Sequence, residues 1–193
     1  MSKRKATMDP VRCPKKASGI LYLYQQLQEL DSDASPFIVE AADSDITSWT
    51  VGMSSGALRQ QLGLSSLATQ LDHWQRVSRK QPVIVMDIRF PHDYPQSVPF
   101  VRMVRPRFKW HTGHVTIGGS MCTELLTPSG WAAMSVHALL LSICQMLSDG
   151  AAKIQLHPDE HCSRPLLDYS EKEAHDAYKR VAQFHGWSTV QRK

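Results

Sequence analysis

A cysteine set just behind a pair of glycines is the residue of this chain best suited to covalent chemistry. Cys122 lies in the run Gly118-Gly119-Ser120-Met121-Cys122-Thr123-Glu124-Leu125-Leu126, and Trp131 follows nine positions later. Glycines leave the backbone before the thiol free to take shapes closed to other residues. A bulky substrate chain can then approach, and main-chain N–H groups can point at a reacting carbonyl. Read this way, Cys122 is a presented nucleophile. The competing reading is a buried structural thiol, because unpaired cysteine is among the most buried residue types. A separate group, His157-Pro158-Asp159-Glu160-His161-Cys162, holds metal-ligand residue types. It lacks a second ligand pair at zinc spacing and reads as a polar loop between helices.

Several elements must position such a thiol. Residues 1–17 are polar, basic and broken by Pro10 and Pro14, which predicts a flexible tail ahead of a domain over 18–187, with 188–193 as a second short tail. Ser18 is placed to cap a helix whose core face is Ile20, Leu23, Tyr24, Leu27 and Leu30, with Gln25, Gln26, Gln28 and Glu29 outside. Phe37 to Ala41 and Thr47 to Met53 read as a hairpin around Asp43-Ser44-Asp45. Between Met53 and Pro82 the pattern turns helical, with Leu64, Leu67, Leu71, Trp74 and Val77 on one stripe, Ser54 or Ser55 as caps and Gly63 as a break. Val83 to Phe90 and Phe100 to Val104 supply two more strands around the proline-rich turn Pro91 to Pro99. After the cysteine, Ser135 caps a helix carrying Val136, Leu139, Leu140, Ile143, Cys144 and Leu147, ended by Gly150. Ser170-Glu171-Lys172-Glu173 is a capping box, with Tyr169 as a staple, for a last helix through Ala174, Ala177, Tyr178 and Val181. The fold class is therefore α+β: an N-terminal helix, a four-stranded antiparallel meander with a helical insertion between its second and third strands, and C-terminal helices.

The composition narrows the function classes. A chain of 193 residues, 42% hydrophobic and 21% charged, fits one soluble domain. No apolar run approaches the roughly 18 residues of a membrane span, and the basic start Met1-Ser2-Lys3-Arg4-Lys5 lacks the apolar stretch of a secretory signal. Cys13, Cys122, Cys144 and Cys162 are irregularly spaced, so free thiols in a reducing compartment are expected. A cytoplasmic location is therefore expected, with the nucleus added if Lys3-Arg4-Lys5 and Lys15-Lys16 act as a split import signal rather than as a solvated basic tail, the reading the residues favour. A net charge of +4 with scattered basic residues gives no reason to expect a nucleic acid partner. No motif calls for a cofactor or a metal.

The motifs around Cys122 also have an order. Phe90-Pro91-His92-Asp93-Tyr94-Pro95 precedes it, then Val98-Pro99-Phe100, and Trp131 follows. In this order they resemble the ubiquitin-conjugating enzymes, and the stretch from Gly118 to Trp131 is similar to the Q-type branch of that family. The resemblance covers roughly residues 18 to 187. It implies a ubiquitin-conjugating (UBC-like) fold. It further implies that Cys122 takes ubiquitin, or a ubiquitin-like modifier, from an activating enzyme as a thioester and passes it to a lysine or a ligase. Many family members place an asparagine, in a His-Pro-Asn triplet, eight positions before the cysteine; this chain has His114 there and no Pro-Asn. The His114 imidazole can donate an N–H to the oxyanion or brace the loop, or it is simply an exposed loop residue. Glu124 matches a place where many members carry an acid; it can orient an incoming amine, although its charge would raise the thiol pKa, or it is a solubilising surface group. Trp131 resembles a buried tryptophan that supports the active-site loop. The basic residues that meet the activating enzyme correspond only loosely to Lys15 and Lys16. The positions that meet RING-type ligases hold Gln96 and Ala132-Ala133, so the type of ligase stays open. Asp159 and Glu160 stand near where the family puts acidic residues that screen the incoming lysine.

Two other functions compete. A catalytically weak or inactive ubiquitin-binding scaffold of the same fold fits the missing Pro-Asn, while Cys122 speaks against it. A cysteine hydrolase would pair Cys122 with His111 or His114, but no signature for such a set is present.

Overall fold

The computed structural model describes residues 18–32 and 34–187. The expected tails, Cys13, the basic clusters before residue 17 and the Ser18 side chain lie outside what it describes. Helix α1 (Ser18–Leu30) leads into β1 (Ile38–Ala42) and β2 (Asp45–Ser54); α2 (Ser55–Gln60) and α3 (Ser65–Ser78) follow, then β3 (Val83–Arg89) and β4 (Phe100–Arg105). A 3-10 turn at Glu124–Leu126 precedes α4 (Val136–Asp149) and α5 (Glu171–His185). The four strands form one antiparallel meander in the order β1-β2-β3-β4. Among the described residues no helix is long and apolar enough to cross a membrane.

The sheet's inner face carries Trp49, Val51, Met53, Ile84, Met86, Ile88, Val101 and Met103, all buried. Against it α4 sets Val136, Leu139, Leu140, Ile143, Cys144 and Leu147, each burial worth about 1.5–3 kcal/mol for the larger aliphatics. The Ser135 hydroxyl accepts from the Ala138 N–H at 3.1 Å, and Gly150 ends the helix. Cys144 is a core residue, its Sγ 3.6 Å from Met53 Sδ. The insertion is helical, with Ser54 capping α2 and Gly63 at φ +70° separating it from α3. Leu67, Leu71 and Trp74 are buried there, whereas Val77, expected on the same stripe, is 39% exposed in the last turn.

Helix α1 is rotated from the expected face. Leu23, Gln26 and Leu30 point inward, while Ile20 and Tyr24 are about half exposed. Gly19 faces inward because a Cβ there would lie 2.3 Å from the His92 carbonyl oxygen, so this face alone can approach the Pro91–Pro99 turn. Gln26, expected outside, is only 5% exposed; its Oε1 accepts from the Val136 N–H, an orphan donor at the start of α4, at 2.8 Å. A buried polar side chain is tolerated because it is hydrogen-bonded there.

Candidate active site

The thiol is carried by a small β-hairpin whose ends are tied by the main chain. Val115 bridges Met121, the Thr116 N–H donates to Ser120 O at 2.9 Å, and the two hydroxyls of Thr116 and Ser120 lie 2.8 Å apart. The hairpin extends the sheet along β4, with Met121 N donating to Val101 O at 3.2 Å and Met103 N to Gly119 O at 2.7 Å. At its open end Cys122 N donates to His114 O at 2.7 Å. Cys122 is thus half-buried and fixed by strand-type bonds rather than by side chains.

The segment that leads in is stitched to the chain beyond α4. Lys109 N donates to Lys153 O and Gly113 N to Gly150 O, both at 2.8 Å, and Phe108 bridges Ile154. Gly113 and Gly150 meet face to face: a Cβ on Gly150 would lie 2.8 Å from Gly113. Backbone at His111 (φ +57°), Gly113 (φ +65°) and His114 (φ +55°) is left-handed. Each non-glycine residue held so costs on the order of 1–2 kcal/mol, and such strain gathers at functional sites. The sequence did hold a signal, since histidine is enriched several-fold among left-handed residues.

The two glycines have a different purpose from the one their position suggests. Gly118 and Gly119 are buried, and they do not open a path to the thiol. A Cβ at Gly118 would lie 2.2 Å from Glu173 O and 2.7 Å from Ala177 Cβ, so the hairpin tip can pass beneath α5 only without a side chain. At Gly119 (φ +93°) a Cβ would meet the Tyr169 ring at 2.6 Å. Tyr169, expected as a staple beside the capping box, is instead buried as a post: its hydroxyl accepts from the Phe108 N–H at 2.9 Å and the Arg107 guanidinium lies 4.4 Å from its ring centroid. The Ser170–Glu173 capping box itself is present.

Downstream, the chain turns back on itself. Thr123 Oγ1 accepts from Leu125 N at 3.3 Å, and Thr127 donates both its N–H and its hydroxyl to Glu124 O. Gly130 packs on that carbonyl, where a Cβ would come within 2.1 Å. Trp131 closes the flap: its Nε1 donates to Pro95 O at 2.9 Å, its ring lies 6.0 Å from that of Tyr94, and the Tyr94 hydroxyl donates to Met134 O at 2.9 Å. Trp131 is only partly buried, where the resemblance implies a buried tryptophan. The Tyr94-Pro95 bond in this support is cis.

His114 thus meets Cys122 through its main chain, while its exposed imidazole lies toward Gly150, whose added Cβ would fall 2.9 Å from His114 Cδ2. The Glu124 side chain is exposed at the start of the 3-10 turn. Burial pushes the Cys122 thiol up, and the Glu124 carboxylate is not the cause. His111 is exposed, its ring 4.1 Å from that of Trp110. In the 157–162 loop Asp159 is a brace: Oδ1 accepts from His161 N and Cys162 N, and Oδ2 from Gln155. Among the described residues no group of three or more His, Cys, Asp or Glu is placed to hold a metal ion.

The family model described as "Ubiquitin-conjugating enzyme" matches residues 79–177, just over half of the chain, and the span includes Cys122. A human Q-like ubiquitin-conjugating enzyme protein is 29% identical over 171 residues, covering 86% of this chain and 96% of the relative. The human "Ubiquitin-conjugating enzyme E2 Q1" is 34% identical over 110 residues, 55% of this chain but only 24% of the relative. Among solved structures, human ubiquitin-conjugating enzyme E2 G1 aligns over 70% of this chain and 98% of its own, with TM-score 0.48 and 22% identity. On the family match, the chain belongs to the ubiquitin-conjugating enzymes, with relatives in their Q-type branch.

Proposed function

We propose that Cys122 carries ubiquitin, or a ubiquitin-like modifier, as a thioester and passes it to a lysine or to a ligase cysteine. The observation that carries this reading is the position of the thiol: partly exposed at the mouth of a hairpin and anchored by Cys122 N to His114 O, while Cys144 is sealed in the core. In the charging step the Cys122 sulfur, having given up its proton, attacks the carbonyl carbon of the modifier's thioester on the activating enzyme. A new S–C bond forms, and the activating enzyme's cysteine leaves as the thiol. ATP is consumed upstream, by the activating enzyme. In discharge the acceptor nucleophile attacks the same carbon, its proton is lost, and the Cys122 thiol is released. Burial favours the protonated thiol, so the proton must leave before or as the sulfur attacks.

Activity is read on gels after incubation with activating enzyme, ATP and ubiquitin, with and without reductant. A reductant-sensitive adduct that becomes reductant-resistant in Cys122→Ser supports the reading. No adduct, under conditions that charge a control enzyme, overturns it for ubiquitin and supports the binding scaffold or a dedicated other modifier. For discharge the proposal extends to His114 as oxyanion donor and Glu124 as orienting acid, against the alternatives of an exposed loop residue and a surface group; His114→Ala tests the first.

A further inference from the structure

At the opposite end of the Cys122 hairpin, away from the thiol, the tip residues Ile117 and Gly118 border a pocket of about 500 Å³ closed by α5 and the 161–168 loop. Two of its three acids are neutralised by cations outside the lining, and the third by Arg107 within it. Three carboxylates line it, and each is held by a cation: Asp168 by Lys80 at 2.7 Å and Arg105 at 3.0 Å, Glu173 by Arg107 at 3.0 Å, and Asp176 by Lys172 at 2.7 Å. Lys80, Arg105 and Lys172 are not part of the lining; they neutralise Asp168 and Asp176 from outside it. Arg107 is committed as well, to Glu173, to the carbonyls of Leu167 and Asp168, and to the face of Tyr169.

Two guanidiniums remain. Arg164 and Arg180 both line the pocket, and among the described residues neither side chain makes an ion pair or a hydrogen bond. Arg180 reaches Asp176 only through space, since the direct contact of that carboxylate is with Lys172. Glu173, Asp176 and Arg180 recur at helical spacing, so α5 presents Arg180 to the pocket on the same face as the satisfied acids. Leu167, 52% exposed, and Ile117, 39% exposed, add apolar surface to a lining that is otherwise mostly charged, and Cys162 lies on it with a free thiol.

We propose that this pocket binds a phosphate dianion, with Arg164 and Arg180 as its ligands. Two forked guanidiniums match the charge and the oxygens of a phosphate, whereas a single carboxylate would leave one of them uncompensated. The dianion is either free phosphate or a phosphorylated side chain of a partner polypeptide lying on Ile117 and Leu167. The site stands apart from Cys122 and does not depend on thioester chemistry.

Cys162 provides the readout. The full chain is treated with a limiting alkylating agent, and labelling of Cys162 and Cys122 is followed by peptide mass spectrometry against inorganic phosphate, a phosphoserine peptide and its unphosphorylated form. Phosphate should slow Cys162 labelling saturably while Cys122 labelling is unchanged, and sodium chloride at matched ionic strength should not. Arg164→Ala and Arg180→Ala should each raise the half-protecting concentration about tenfold or more, the loss expected for a charge-assisted hydrogen bond. Arg164→Lys and Arg180→Lys keep the charge and should recover only part of it. Half-protection by the phosphopeptide well below the concentration for free phosphate assigns the dianion to a polypeptide; equal values assign it to the free ion. Unprotected Cys162, equal protection by chloride, or protection unchanged in the double alanine variant overturns the proposal.

Discussion

Gly119→Ala separates packing from backbone strain at the hairpin that carries the thiol. Alanine at φ +93° carries the left-handed penalty of about 1–2 kcal/mol. Its Cβ would also sit 2.6 and 2.8 Å from Tyr169 Cγ and Cδ2 and 3.0 Å from Met103 O. The optimum carbon–carbon contact is about 3.5–4.0 Å. Tyr169 cannot retreat by the missing ångström, because its hydroxyl holds Phe108 N at 2.9 Å and Arg107 covers its ring. Overpacking of this kind adds about 1–3 kcal/mol. The control is Gly63→Ala, where φ is +70° but nothing lies within 4 Å of the new Cβ. Both substitutions reduce unfolded-chain entropy alike, so their difference isolates the packing. Urea unfolding should show Gly119→Ala less stable than Gly63→Ala by about 1–3 kcal/mol, a midpoint gap of roughly 0.5–1.5 M at a slope of about 2 kcal/mol/M. Equal midpoints for the two variants would refute the view that the glycines before Cys122 serve α5 and Tyr169.

Gln26→Ala should cost about 1–3 kcal/mol in the same urea assay, because it leaves the buried Val136 N–H unpaired; a loss within 0.5 kcal/mol, as at an ordinary surface site, would contradict this. At Asp168 burial pushes the carboxyl up, but hydrogen bonds from Lys80 and Arg105 outweigh it and hold it below the usual carboxylate range. A lowered folded pKa contributes stability above the unfolded value of about 3.9 that is lost as pH falls through the folded one. Asp168→Asn should therefore lower the midpoint at neutral pH and converge with the parent in strong acid; a gap that does not close would show another cause. Alkylation of Cys122 should keep accelerating as pH passes the ordinary thiol range of about 8.5, because burial raises it, and a plateau below that range would show an activating partner. His114→Ala should leave charging of Cys122 intact and slow discharge to free lysine by about 100-fold if the imidazole is an oxyanion donor; unchanged discharge rejects that role.

The elements were legible where local chemistry and hydrophobic period agree. Ser135 and Ser170 cap their helices, and the α4 stripe from Val136 to Leu147 is buried in full. Helix α1 was misread because its period does not say which of two adjacent faces turns inward. Apolar side chains favoured Ile20 and Tyr24, while the absent side chain of Gly19 and the amide of Gln26 decided it. Both depend on partners, His92 and Val136, that lie 73 and 110 positions away. The glycines before the thiol show the same limit. Their position next to a reactive residue suggested access, but the distances to Glu173 and Tyr169 assign them to packing. The motif singled out Cys122 as a candidate, and the residue type alone hinted at left-handed backbone at His111 and His114, whereas the contacts with 150 and 153 that hold this run are encoded by no local pattern.

Position and chemistry at this site come from different parts of the residues. Cys122 is placed by Cys122 N to His114 O, and its hairpin by Met121 N to Val101 O and Met103 N to Gly119 O, all of them main-chain bonds. Replacing a side chain at 114 leaves those bonds formally available. The residue must nevertheless tolerate φ +55°, which asparagine does better than alanine. His114→Asn should therefore hold Cys122 in place with less strain than His114→Ala, and it also puts an amide donor at the position where many relatives of this family carry one. If the Ala variant is slow in discharge and the Asn variant is fast, with both charging normally, the defect is chemical. If the Ala variant charges poorly and the Asn variant charges normally, the left-handed turn itself, rather than the imidazole, is what His114 contributes.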